Sequence, residues 1–252
     1  MLASVHLVDG HVRSGLRWLL RPPSTIDAPG LRHGQVVIAA PLASALPEPQ
    51  PSRFGLVAFW DEEAALDRFL ASPAAEPLAD GWSVRLDPLR AVPVATRHFP
   101  GVPDDLPPPP DVDDGGAVAV LTMGRLRLRR APTFFRTSSR AERQVASSPG
   151  SLWATGLTNV AQRVVATFSL WESAAQMRAY ATSTSGHSAA IAAESRRSFH
   201  HEGSFVRFRP RDARGRLPGR NPMADHVTGL VNRDGQAGES PPHASAGTAP
   251  AG

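Results

Sequence analysis

His187 stands directly after Ser185-Gly186, at the mouth of a stretch poor in large side chains, TSTSGHSAAIAAESRRSF (182–199). Read as a helix, that stretch sets His187, Ile191, Ser195 and Phe199 at successive i+4 steps, one slightly drifting stripe. Glu194, Arg196 and Arg197 lie mostly off the stripe, so the imidazole faces inward among Ala189, Ala190, Ala192 and Ala193. Side chains this small let a flat, bulky partner approach the backbone. A neutral imidazole on such a surface suits an axial ligand to haem iron. The plainer reading is a helix-capping or core histidine bonded to a backbone carbonyl.

The remaining histidines offer less. His200 and His201 precede the last strand, where alternation sends one side chain to the core and the other to solvent. An inward one could pair with His187 on a metal, but apart from Glu202 no carboxylate lies nearby at ligand spacing. His6, His11, His33 and His98 fall in no spaced motif, and the absence of cysteine removes thiolate ligands, cysteine nucleophiles and disulfides. A GxSxG elbow, a phosphate-binding glycine loop and HExxH are all missing. GRLRLRR (124–130) is a basic strand-like run without interleaved aromatics, read as a solvated sheet edge rather than a nucleic-acid surface.

These residues need a scaffold, and the sequence carries it twice. FGLVAFWDEEAALDRFLAS (54–72) and VATFSLWESAAQMRAYATS (165–183) each hold an apolar strand, a tryptophan, an acidic residue and an amphipathic helix. At one constant spacing Trp60 meets Trp171, Asp61 meets Glu172, and Leu66, Phe69 and Leu70 meet Met177, Tyr180 and Ala181. Ser173 with Gln176 forms a capping-box pattern, and Asp61 is the corresponding candidate cap of the first helix. GWSVRLDP (81–88) then matches GSFVRFRP (203–210), both reading as alternating strands ended by proline. The connection from helix to last strand is longer in the second half, and the extra residues, roughly 184–199, contain His187. With a strand and helix-like stretch at each start (5–20 and 118–135), the order per half is β-α-β-β-α-β. The expected fold is therefore α+β: two tandem ferredoxin-like repeats whose sheets close together as an α+β barrel.

Composition sets the boundaries. The 252 residues are 41% hydrophobic and 20% charged, ordinary for a globular protein large enough to bury a core. All basic residues are arginine, scattered along a chain of net charge only +4, which argues for GC-rich coding rather than a nucleic-acid partner. FPGVPDDLPPPPDVDDGG (99–116) reads as a proline-rich linker, and the chain from 211 to 252 as a disordered tail. The expected division is thus 1–98 for the first repeat, 99–116 for the linker, 117–210 for the second repeat with its inserted helix, and 211–252 for the tail. Neither a signal peptide nor a transmembrane segment is evident, so a cytoplasmic location is expected.

The block SLWESAAQMRAYATSTSGHSAAIAAESRRSFHHEGSFVRF resembles the C-terminal half of the spheroidene monooxygenase family of carotenoid-modifying enzymes. That family carries a Trp after the strand, an "MAAFA"-like helix, a "G-x-H-x-x-A-I" element and a final "WF-x-E-E-L-Y-A-R-F". Trp171, Met177, Tyr180, Gly186, His187, Ala190, Ile191, Phe199, Arg207 and Phe208 fall on this pattern, while His200-His201-Glu202 and Gly203-Ser204 replace the acidic-leucine-tyrosine stretch. The resemblance implies a haem-dependent monooxygenase acting on a hydrophobic, carotenoid-like substrate, since an unactivated C–H bond needs a cofactor. It implies His187 as the candidate ligand of the haem iron, Arg196 and Arg197 at the propionates, and Trp171, Met177, Ile191 and Phe199 lining the substrate pocket or packing in the core. An unidentified electron donor is implied, and homo-oligomerisation is left open. Two other readings stand beside it: a cofactor-independent oxygenase of the antibiotic-biosynthesis-monooxygenase type, and a non-catalytic barrel serving hydrophobic-ligand binding or assembly.

Overall fold

The computed structural model describes residues 1–40, 49–104, 106, 115–135, 144–145, 147–182, 199–217 and 222–223. The first half contains β1 (Leu2–Asp9), α1 (Val12–Leu20), β2 (Leu31–Ala40), β3 (Gln50–Trp60), α2 (Glu63–Leu70) and β4 (Trp82–Pro93). The second contains β5 (Val118–Leu126), helical residues at 131–135, β6 (Ser151–Asn159), β7 (Val164–Trp171), α3 (Ala174–Thr182) and β8 (His200–Arg214). The eight strands close into one barrel, β1-β3-β2-β6-β7-β5-β8-β4, antiparallel at every junction. Each half supplies the strand order of a ferredoxin-like unit. The halves join through β2–β6 and β4–β8, which leaves no sheet edge exposed.

Register shows that the halves repeat. Leu2 sits opposite Trp60 and Ala3 opposite Leu86; in the second half Val118 sits opposite Trp171 and Ala119 opposite Phe208. Both tryptophans, both central pairings and the matched strands 81–88 and 203–210 thus occupy equivalent places.

Alternation along the strands sorts side chains into two layers. One set fills the barrel: Val5, Phe59, Trp82, Leu121, Phe168 and Phe208 all lie in one buried cluster. Within it Trp82 packs on Trp153 and Phe168, with ring centroids 5.5 and 6.4 Å apart. The lumen is a packed core. The other set faces outward under the helices, with Leu56, Trp60, Leu66 and Phe69 in the first half and Val118, Val120, Trp171 and Met177 in the second.

Several local expectations change. Pro88 and Pro210 do not end their strands: β4 runs on to Pro93 and β8 to Arg214, with β4's register shifts flanking Pro88 where the ladder tolerates a missing N–H. The boundary expected at 210 therefore falls inside β8, and Leu217 and Met223, 6% and 0% exposed, join the barrel core. The segment read as a linker also contributes, since Phe99 and Val102 are buried in the same cluster and the Phe99 amide donates to Ser204 Oγ at 2.9 Å. Residues 107–114 and the rest of the tail, from 224, lie outside the described residues. β5 is held between β7 and β8, so GRLRLRR is no sheet edge; only Leu128–Arg130 stand exposed, in a short 3-10 turn. Asp61 does not cap α2, whose N-cap is Glu62; it faces Arg32 at 3.6 Å instead.

Candidate active site

The outer faces of the two half-barrels carry different side chains on the same framework. Under α1 and α2 the first face presents His6, Val8, Val36, Phe54 and Leu56, each 6% exposed or less. At the equivalent registers the second face presents Thr122, Gly124, Gly156, Val165 and Thr167. Large apolar groups have become small or polar ones, and Thr122, Ala154, Val165 and Thr167 are only half-buried. The framework beneath is retained: Trp171 is 1% exposed, donates from Nε1 to Ser169 Oγ at 3.0 Å, and stacks on Tyr180 of α3 at 5.1 Å. Trp60 is held the same way by Ser4 Oγ, at 3.0 Å.

α3 covers part of this second face. Ser173 Oγ accepts the Gln176 amide at 3.3 Å, the cap expected from the sequence, and the Gln176 side chain turns back to Glu172 at 2.9 Å. Met177 is buried with Trp171 in the cluster beneath the helix.

His200 lies on the same face. Its ring fills the space above Gly124, where a Cβ would come within 2.4 Å of the imidazole. Phe134 packs edge-on against it at 5.1 Å and against Phe199 at 6.0 Å. Regular alternation would have turned this side chain into the barrel with Ser204 and Val206. The shift in pairing from Arg125–Glu202 to Leu126–His200 leaves His201 as the extra residue and brings His200 to the outer side.

Charge differs as well. In the first half Arg85, on β4, bonds Glu63 at 2.5 Å and Asp67 at 2.6 Å from α2, and Arg211 reaches the same Glu63. The hydrogen bonds from Arg211 and Arg85 hold the Glu63 carboxyl below its ordinary range. Arg207 is the β8 counterpart of Arg85, but the α3 positions matching Glu63 and Asp67 carry Ala174 and Arg178. The first half pairs its arginine internally with two acids; the second half sets a further arginine on its helix instead.

Of the residues singled out in the sequence, Trp171, Met177 and Phe199 are buried at this face. His187, Ile191, Arg196 and Arg197, with the whole inserted stretch 183–198, lie outside the described residues. No cluster of three or more His, Asp or Glu side chains able to hold a metal occurs among the described residues.

A protein of Rubrivivax gelatinosus described as spheroidene monooxygenase is 32% identical over 173 residues, 68% of this chain and 66% of its own length. Over that stretch the chain is similar to spheroidene monooxygenase. The match spans just under two thirds of that relative. No family model matches the chain. Among solved structures, aldoxime dehydratase aligns over 88% of this chain and 86% of its own, with a TM-score of 0.53 and 11% identity. Aldoxime dehydratase in complex with butyraldoxime aligns over 88% and 84%, at TM-score 0.51 and 11% identity. At that identity the likeness extends to the fold alone.

Proposed function

We propose that the chain is a monooxygenase that oxidises a hydrophobic, carotenoid-like substrate at the outer face of its second half-barrel, with haem as cofactor. The observation that carries this reading is the asymmetry of the two outer faces. Where the first is filled by Phe54, Leu56 and Val36, the second has Val165, Thr167 and Gly156, which would leave breadth for a flat group between sheet and helices. The packed barrel interior offers no such space. The two faces differ in charge too, since the α3 positions matching Glu63 and Asp67 carry Ala174 and Arg178.

In this reading His187 holds the iron, and Arg196 and Arg197 meet the carboxylates of the porphyrin. Bound haem supplies the oxygen-activating chemistry that no side chain provides. The chain's own residues orient the substrate and exclude water: Trp171, Met177, Ile191 and Phe199 give an apolar lining, and His200 is the polar group already placed at that face. Aromatic packing by Phe134 fixes the ring of His200 in one orientation. The substrate is apolar, an electron donor is required, and the reaction belongs in the cytoplasm.

The test is an absorption spectrum of the purified full chain titrated with haem. The expected result is a saturable Soret shift, lost in His187→Ala and altered in His200→Ala, with unchanged far-ultraviolet circular dichroism in both. A haem titration with no Soret shift, together with substrate turnover in its absence, would favour a cofactor-independent oxygenase.

A further inference from the structure

Of the six large apolar side chains exposed in the first half among the described residues, four lie on α1 and the turn after it; Met1 and Leu70 are the other two. Val12, Leu16 and Leu20 recur every fourth residue along α1 and are 45%, 47% and 81% exposed. Ile26, in the turn that follows, is 88% exposed. Single exposed aliphatics need no explanation, but a contiguous row does.

The roll of α1 is fixed from below, so this row is an outward face by construction. Gly15 and Trp18 are its buried residues, and Trp18 packs on Phe54 at 6.2 Å. A Cβ at Gly15 would meet the Pro51 carbonyl at 2.7 Å, so the helix backbone rests directly on β3. At about 100° per residue, the opposite side of the helix divides into two adjoining rows. One is Val12, Leu16 and Leu20; the other is Arg13, Arg17 and Arg21. All three arginines are exposed, and none makes an ion pair among the described residues. The nearby acids form no ion pair with the row. Asp9 is engaged by Arg53 at 2.6 Å, while Asp27, which accepts from the Ser24 hydroxyl at 2.7 Å, and Glu76 line the same cleft of about 310 Å³ as Arg17 and Arg21.

We propose that α1 and the turn through Ile26 dock this protein on the surface of an anionic lipid bilayer. A protruding aliphatic row beside a row of exposed arginines without ion pairs is the pattern of an interfacial helix, with alkyl side chains entering the headgroup boundary and guanidinium groups meeting lipid phosphates. Charge argues against a second copy as the occupant, since a two-fold contact through this face would bring the arginine rows of both chains together. The shape agrees: Leu20 and Ile26 project rather than frame a groove, which suits a soft partner. Insertion is shallow, because no described helix is long and apolar enough to cross a membrane. The inference stands on this surface alone and does not require the proposed oxygen chemistry.

The experiment is co-sedimentation of the full chain with phosphatidylcholine vesicles with and without phosphatidylglycerol, in low and high salt. The expected result is binding to the anionic vesicles that weakens with salt. Each of Arg13→Gln, Arg17→Gln and Arg21→Gln should lower the partition constant about fivefold. Leu16→Ser with Leu20→Ser should lower it about tenfold or more. These positions are exposed, so an unchanged thermal midpoint accompanies each variant; the salt dependence of the unaltered chain gives a second readout free of substitution. Failure to sediment with anionic vesicles, equal binding to neutral ones, or binding unaffected by both sets of substitutions would overturn the proposal. So would a concentration-dependent dimer abolished by Leu16→Ser with Leu20→Ser, which would assign the face to a second copy.

Discussion

The two half-barrels share register, strand order and a buried tryptophan closing the third strand, yet differ in nearly everything that lies on those positions. On the first outer face the helices α1 and α2 press on Phe54, Leu56 and Trp60 and exclude water. On the second the same sheet is half-buried at Thr122, Val165 and Thr167, with His200 laid over Gly124. Arg85 bonds two carboxylates of α2; the α3 positions matching those carboxylates carry Ala174 and Arg178. The comparison separates two kinds of constraint. Barrel closure requires the pairings and the inner layer, so both copies keep them. The outer layer needs only to be covered, and one copy covers it with large apolar side chains while the other, among the described residues, presents smaller or polar ones that are only half-buried.

Exchanging the two layers at one position is the sharpest way to test that division. Leu56→Thr gives the first half the residue of the second. Leu56 is fully buried, so the change removes apolar contacts and buries a hydroxyl, and should cost about 3–5 kcal/mol of unfolding free energy. Thr167→Leu does the reverse on a half-buried face and should change stability by less than about 1 kcal/mol. It should also weaken any haem-dependent Soret shift by occupying the space proposed for the cofactor. Urea titrations of both variants measure the contrast; equal losses would mean that the second face is as tightly filled as the first.

His6 provides the next contrast, because its counterpart is Thr122, which does not titrate. Burial, aided by Arg85, pushes the His6 pKa down to about 4. Its ring faces Arg85, Ser83, Asp212 and Arg214 around a cavity of about 30 Å³. In the unfolded chain His6 takes up a proton near its ordinary pKa of 6.5, whereas in the folded chain it stays neutral until about 4. The folded state is therefore favoured by the full amount above 6.5 and loses it as pH falls from 6.5 to 4. The loss is about 3 kcal/mol for a shift of this size. His33, pushed to about 4 mainly by burial and then by Arg125, adds to the same acid limb. His6→Thr should flatten the fall in denaturation midpoint between pH 6.5 and 4 by roughly half. A profile identical to that of the unaltered chain would place the acid sensitivity elsewhere.

Much of this framework was legible in the sequence. The paired Trp60 and Trp171, the matched helices and the GWSVRLDP–GSFVRFRP repeat sufficed for two β-α-β-β-α-β units, because local alternation and helical periodicity are written in consecutive residues. The ends of the repeats were not legible. Phe99, Val102, Leu217 and Met223 are single apolar residues among prolines, glycines and charges; no period marks them, and only the completed barrel gives them something to cover. The facing of His200 was hidden for a related reason. A one-residue shift in pairing with β5 reverses its side, and nothing in HHEG marks where that shift falls. Of the candidate site, Trp171, Met177 and Phe199 were legible as apolar positions of the second half, while the smaller and more polar outer face beside them required both faces to be compared in space.

The smallest expected effect lies at the helix starts. α3 is capped by Ser173, whose Oγ accepts the Gln176 amide at 3.3 Å; α2 begins at Glu62 with no side-chain cap. Ser173→Ala should cost about 1 kcal/mol by leaving a helical amide without its acceptor. Glu62→Ser should stabilise α2 by at most a similar amount, reduced by loss of the exposed pairing with Arg68 at 3.2 Å. Thermal midpoints of the two variants should therefore move in opposite directions. If both fall, the Glu62 carboxylate contributes through its favourable position at the helix N-terminus, and the first half would prove to solve by charge what the second solves by a hydroxyl.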